Sequence, residues 1–150
     1  MKKNILITAA VLLGLWACDG ASPQPGRAIA TPSGPPIQRF HEPQQLVLGE
    51  QVYRQHCSKC HGENGEGDPG WRKRDAEGMF LPPPLNGTGH AWHHARRWHR
   101  EMILYGSQPG KGRMPAWQGK LSETEIEAVI EWFQSRWPDR VYAAWYEMQR

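Results

Sequence analysis

The chain has 150 residues, 39% hydrophobic, 10% aromatic and 22% charged, with a formal net charge of +3. That length holds one domain plus accessories; the composition excludes disorder throughout and the collagen-like and multi-span membrane classes, and the charge is too small for a nucleic-acid-binding surface. Two counts stand out: eight Trp, and three Cys, an odd number that cannot close into intramolecular disulfides without a remainder.

Lys2 and Lys3 precede an apolar run of twelve residues, Ile5 to Trp16. A helix needs about 20 residues to cross a bilayer, so the run is short for a span and gives residues 1–17 the proportions of a secretory signal. Leu15-Trp16-Ala17-Cys18 resembles a bacterial lipoprotein signal, although Trp16 is larger than the residue usual at its place. The resemblance implies that Cys18 becomes the acylated first residue of the mature chain. Cleavage by the ordinary signal peptidase and an uncleaved anchor are the alternatives. Asp19 resembles the signal that retains lipoproteins in the inner membrane of Gram-negative bacteria. That implies lipid anchoring on the periplasmic side, or a soluble periplasmic protein if Cys18 is unmodified. Without Lys2 and Lys3 the chain has 16 basic against 15 acidic residues, a net of +1, so no strongly basic partner surface is indicated.

Residues 18–45 comprise Cys18 and a Pro-rich stretch, with Ser-Pro-Gln-Pro-Gly, Thr-Pro-Ser-Gly-Pro-Pro and Pro43, and few large apolar groups. Such a stretch buries too little surface to offset its ordering entropy and reads as a tether. A globular part is expected over 46–150, with a helical extension from about 138. Leu46, Val47, Gly49, Gln51, Val52 and Tyr53 suit a helix of about three turns leading to Cys57.

Cys57-Ser58-Lys59-Cys60-His61 is the most informative pentapeptide. Helical positions i, i+3 and i+4 share a face, so two thiols and an imidazole point the same way. A c-type haem needs that arrangement, with two thiols to add across its vinyl groups and one imidazole beneath the iron. Zinc would want a second C-x-x-C, and a thioredoxin-like pair would want a preceding strand; neither is present in the sequence. A disulfide within the motif is the remaining alternative. Glu63, Glu66 and Asp68 lie among glycines but miss the spacing of a calcium loop. Arg72, Lys73 and Arg74 read as a solvated run or as partners for haem propionates or an acidic protein.

His90, His93 and His94 would fall on one helical face, interleaved with Trp92 and Trp98. Three readings are open: a second metal site for copper or zinc, an imidazole as the sixth iron ligand, or a half-exposed helix end whose histidines bond to backbone, Trp or a propionate. The best sixth ligand is Met114, 53 residues after His61. Its thioether favours ferrous iron, and Pro115 restricts it to extended conformations. Met79 and Met102 are lesser sulfur candidates. Ser122-Glu123-Thr124-Glu125 is a capping box, and Ile126, Val129, Ile130 and Phe133 form the stripe behind it. Pro138 stops that helix and suits the start of another, which carries Val141, Trp145 and Met148.

Taken in order, Cys57 to His61, the turn Gly62 to Asp68, Pro84-Leu85-Asn86-Gly87, Met102 to Gly106, Met114-Pro115 and the closing helix resemble a class I monohaem cytochrome c over residues 46–137. The resemblance implies an all-α fold of a few short helices around one covalent haem c, with Cys57 and Cys60 attached and His61 and Met114 axial. It also implies that the first and last helices cross where Gly49 meets Phe133 or Trp132. The expected function is single-electron transfer between respiratory partners such as a quinol-oxidising complex, a dehydrogenase or a terminal oxidase, without catalysis and without nucleic acid. The alternatives are a haem enzyme or gas or redox sensor with an open sixth position, and a metal-handling module built on the His90 to His99 cluster. On this reading several Trp cover the porphyrin, and no cysteine is left over.

Overall fold

A computed structural model describes Arg39 and residues 41–150. The expected signal, Cys18 and most of the expected tether lie outside the described residues. Five α-helices follow in order: α1 (Pro43–His56), α2 (Ser58–His61), α3 (Arg96–Tyr105), α4 (Glu123–Ser135) and α5 (Asp139–Met148), with a 3₁₀ turn at Ala91–His93 before α3. Among the described residues there is no strand, only an isolated antiparallel bridge between Arg74 and Phe80. No described helix is long and apolar enough to cross a membrane. The all-α architecture is the one expected.

α1 begins at Pro43, three residues before the apolar pattern that marks it in the sequence. Proline suits a first helical turn because the N–H it lacks would be unpaired there, and its fixed φ is already helical. The folded body reaches back further still. Arg39 donates to the Trp137 carbonyl at 2.8 Å, pairs with Asp139 and lies over the Tyr142 ring.

α1 and α4 make the principal helix pair. The apolar stripe of α4 is fully used: Ile126 and Ile130 are completely buried, and Val129, Trp132 and Phe133 are nearly so. Each such side chain contributes about 1.5–3 kcal/mol of burial free energy. Ser122 caps the helix as the sequence predicts, accepting from the Glu125 N–H while the Glu125 carboxylate accepts from the Ser122 N–H. The crossing point is Gly49, which approaches the Ala128 carbonyl and Trp132, the second of the two partners expected. One turn along, Tyr53 lies against Trp132 with ring centroids 4.2 Å apart.

α5 folds back on the turn before α3. Trp145 is buried, packs against Trp137 and donates its indole N–H to the His94 carbonyl at 2.9 Å. Met148, third in the α5 stripe, is half exposed. It sits at the last turn, past the end of the surface that α5 covers.

Candidate functional site: a haem cavity

The first structural consequence of Cys57-Ser58-Lys59-Cys60-His61 is a break. α1 ends at His56, Cys57 leaves it, and the four residues Ser58–His61 form the separate short helix α2. The Tyr53 hydroxyl locks that junction by donating to the Gly62 carbonyl at 2.7 Å. Cys57 is half-buried and Cys60 exposed, and the two are not joined in a disulfide. Burial foremost, then the neighbouring Cys60, pushes the Cys57 thiol up to about 12, so the bare chain carries it as the neutral thiol.

His61 is buried, and its Nδ1–H donates to the Pro83 carbonyl at 2.9 Å. A carbonyl can only accept, so this bond fixes the tautomer and leaves the Nε2 lone pair free for a metal. Desolvation, outweighing the smaller opposing effect of the Pro83 bond, holds His61 below the usual imidazole range and so favours the neutral ring. Pro83, whose carbonyl orients His61, is absent from the sequence motif. A signal for it exists in Pro82-Pro83-Pro84: three residues without N–H groups cannot enter a backbone ladder, so their carbonyls stay open to other donors. The Gly-rich turn uses the same segment, with Asp68 N–H donating to the Pro82 carbonyl and Leu85 N–H to that of Gly65, at 2.8 and 2.7 Å. Gly67 makes this approach possible. Its φ is +66°, and a Cβ there would stand 2.5 Å from Pro84 N.

Met114 is held through its backbone. Its N–H donates to the Ser107 hydroxyl at 3.2 Å, and its carbonyl accepts from the Ser107 N–H at 3.0 Å. Three residues on, Trp117 N–H donates to carbonyls at the end of α3. The loop is therefore tied to Ser107, just past the end of α3, at Met114 and to α3 itself at Trp117. Arg113 adds exposed ion pairs to Asp75 and Glu77.

Between these elements lies a cavity of about 1010 Å³. Cys57, Cys60, His61 and Met114 all stand in its wall, with Tyr53, Phe80, Leu81, Leu85, Ile103, Val129 and Phe133 among its apolar lining. Trp71, Trp98 and Trp117 are in the wall too, as is Met102; Met79 is not. A flat macrocycle with vinyl groups beside two thiols and iron beside a neutral imidazole fits this donor set and this space.

The three candidate histidines do not share a helical face. His90 precedes the 3₁₀ turn, His93 ends it, and His94 is extended at φ −107°, ψ 146°. The rings scatter onto different indoles: His90 stacks on Trp71, His93 on Trp92 and His94 on Trp98. Among the described residues no group of three His, Cys, Asp or Glu side chains is placed to hold a metal ion. The helical spacing misled here because the segment turns with three residues per turn and then straightens.

A small helical domain closed around an apolar cavity, with two thiols and a neutral imidazole in its wall, defines a haem-carrying protein of the c type. The family model described as "Cytochrome C oxidase, cbb3-type, subunit III" matches residues 44–133, and the chain belongs to this cytochrome c family. Cytochrome c6 of Chlamydomonas reinhardtii is 34% identical over 102 residues, 67% of this chain and 58% of that protein. Cytochrome c6 of Tetradesmus obliquus is 34% identical over 86 residues, 56% of this chain and 82% of that protein. The cbb3-type cytochrome c oxidase subunit FixP of Bradyrhizobium diazoefficiens is 28% identical over 103 residues, and this chain spans 30% of it. No solved structure matches the chain. The cofactor is covalent haem c, and Cys57 and Cys60 fit its C-x-x-C-H attachment motif.

Proposed function

We propose that this chain is an exported, membrane-tethered cytochrome that carries single electrons between respiratory redox partners, with His61 and Met114 as axial ligands of its haem iron. The observation that carries the reading is one cavity wall holding Cys57, Cys60, His61 and Met114, although Met114 is 53 residues from His61 in sequence. The haem supplies one-electron redox chemistry when bound. The chain supplies two attachment points, a neutral imidazole oriented by Pro83, and a thioether held by Ser107. If both His61 and Met114 held the iron, no position would be left on it for a substrate, and the chain would serve as a carrier and not as an enzyme. The test is Met114→Ala. Loss of the axial methionine signature and a lower midpoint potential support the ligation; an unchanged spectrum and potential refute it. Rapid carbon monoxide binding by the ferrous wild type would assign an open-site enzyme or sensor instead.

Anchoring rests on Leu15-Trp16-Ala17-Cys18 and Asp19, which resemble an inner-membrane lipoprotein signal; mass spectrometry of detergent-extracted protein must find acyl chains on Cys18. The place is then the periplasmic face of the inner membrane. The relative named as a cbb3-type oxidase subunit supports a haem-copper terminal oxidase among the partners, with a quinol-oxidising complex or a dehydrogenase as donor. Oxidation of the reduced protein by membranes containing and lacking that oxidase tests the assignment.

A further inference from the structure

The Pro83 carbonyl orients His61, so whatever fixes Pro83 acts on the ring that faces the cavity. On one flank the segment 82–86 is held by backbone bonds to the Gly-rich turn: Asp68 N–H to the Pro82 carbonyl, and Leu85 and Asn86 N–H to that of Gly65. On the other flank the hold is a side chain from far along the sequence. The Trp137 indole N–H donates to the Leu85 carbonyl at 2.7 Å, across 52 residues. Trp137 and Pro138 also lie against Gly87. Pro84, buried between Leu85 and Pro83, has its φ fixed by its ring, so a displacement at Leu85 reaches Pro83 with little slack.

Trp137 lies past the end of α4 and outside residues 44–133, the span that the family model matches. It does not stand in the cavity wall. It is buried, and its ring meets Phe133 of α4, His99 of α3 and Trp145 of α5, with centroids 6.1, 6.2 and 5.8 Å away. Its carbonyl accepts from Arg39 at 2.8 Å. A flat group gripped by three helices has one place for its N–H, so the tertiary fold sets where Leu85 is held.

We propose that Trp137 is a positioning residue for His61: by fixing Leu85 it keeps the Pro83 carbonyl on Nδ1–H, and so sets how strongly His61 donates to iron. This rests on His61 as an axial ligand. A hydrogen bond from Nδ1–H to an acceptor raises the basicity of the opposite ring nitrogen. A more basic ligand stabilises ferric over ferrous iron, and hydrogen bonding around the ligands is one lever on a haem's potential. Without the indole bond Leu85 loosens, the Pro83 carbonyl draws back, and His61 becomes a weaker donor that favours the ferrous state.

The experiment compares full-length holoprotein as wild type, Trp137→Phe and Trp145→Phe. Trp137→Phe keeps an aromatic ring and loses the donor. Trp145→Phe loses an indole bond of the same kind, to the His94 carbonyl at 2.9 Å, and reports the general effect of such a loss. Two quantities are read: the midpoint potential at fixed pH, and solvent exchange of the His61 Nδ1–H proton in the reduced protein by NMR. Trp137→Phe raises the potential by up to a tenfold shift of the one-electron equilibrium, which equals about 59 mV. It also speeds the exchange by up to about tenfold, the population change that one lost hydrogen bond produces. Trp145→Phe lowers Tm and leaves both quantities as in wild type. An unchanged potential and exchange rate in Trp137→Phe, or equal changes in Trp145→Phe, overturn the proposal. If Trp137→Phe does not fold with a c-type spectrum, the wild type decides alone. There the Trp137 Nε1–H and His61 Nδ1–H protons exchange with a common dependence on urea; an indole that opens at low urea while His61 stays protected overturns the proposal. A His61 ring proton without the ring-current shift of an axial ligand shows that the ligation reading has failed, and the exchange comparison still judges the hold of Trp137 on His61.

Discussion

Gly49→Ala tests the packing on which the cavity depends. A Cβ at residue 49 would stand 2.1 Å from the Ala128 carbonyl oxygen and 2.7 Å from both Ala128 C and Trp132 Cβ. Two of the three are backbone atoms of α4 and cannot rotate away. A carbon–oxygen contact settles near about 3.3 Å, so α1 and α4 must part by about 1 Å. A gap of that size forfeits up to about half the dispersion energy of the contacts across it, and overpacking of a tight core costs about 1–3 kcal/mol or more. Alanine returns about 1 kcal/mol of helix propensity over glycine. Taking the upper end of that range, about 3 kcal/mol, because the clash is with backbone, the net expected loss is about 2 kcal/mol, equal to a fall of about 10 °C in Tm at about 4–8 °C per kcal/mol for a domain of this size. Thermal melts of the holoprotein followed by far-UV circular dichroism measure it, with Gln51→Ala on the exposed face of α1 as control. A Gly49→Ala protein as stable as wild type, or more stable, would refute the close-approach argument.

Three further outcomes follow from individual contacts. Ser122→Ala removes the capping box of α4 and lowers stability by about 1 kcal/mol, seen as a lower Tm; Ser122→Asp keeps most of it. Tyr53→Phe leaves the Gly62 carbonyl without its donor and costs about 1 kcal/mol, read as a lower urea midpoint with unchanged slope. His99 is 4% exposed, and burial above all holds it at about 4 against an ordinary 6.5. Above about pH 6.5 both folded and unfolded chains carry it neutral. As pH falls toward 4 the unfolded chain takes a proton that the folded chain refuses, so stability is lost through that window. His99→Gln, which keeps a donor for the Ala91 carbonyl, makes the pH profile of the urea midpoint shallower; His90 and His94, lowered in the same direction, keep part of the slope. An unchanged profile in His99→Gln contradicts the assignment.

The chemistry of this protein is local, and so it stands in the sequence. Two thiols and an imidazole at i, i+3 and i+4 specify covalent haem wherever the chain runs helically through them. The Ser122 to Phe133 segment likewise contains both its own cap and the stripe that demands a partner, and each was found as read. What the stripe packs against was a different matter. Gly49 meets Trp132, one of the two partners expected, and also the Ala128 carbonyl, a backbone contact that depends on how two helices are rotated about their axes, which no single periodicity encodes. His90, His93 and His94 have helical spacing but lie on a 3₁₀ turn that straightens, and that backbone path is imposed by α3 beginning at Arg96 and by α5 packing from the other side.

The sequence alone therefore determined the cofactor and the all-helical class, because these depend on residue identity and periodicity at short spacing. The tertiary structure decided what each candidate residue is surrounded by. Pro83 as the partner of His61 and the stack of Trp71 on His90 join segments about twenty residues apart, and Ser107 clamps Met114 across the loop between them. Only chain folding sets such distances, since burial and backbone hydrogen bonding are satisfied over the whole domain at once.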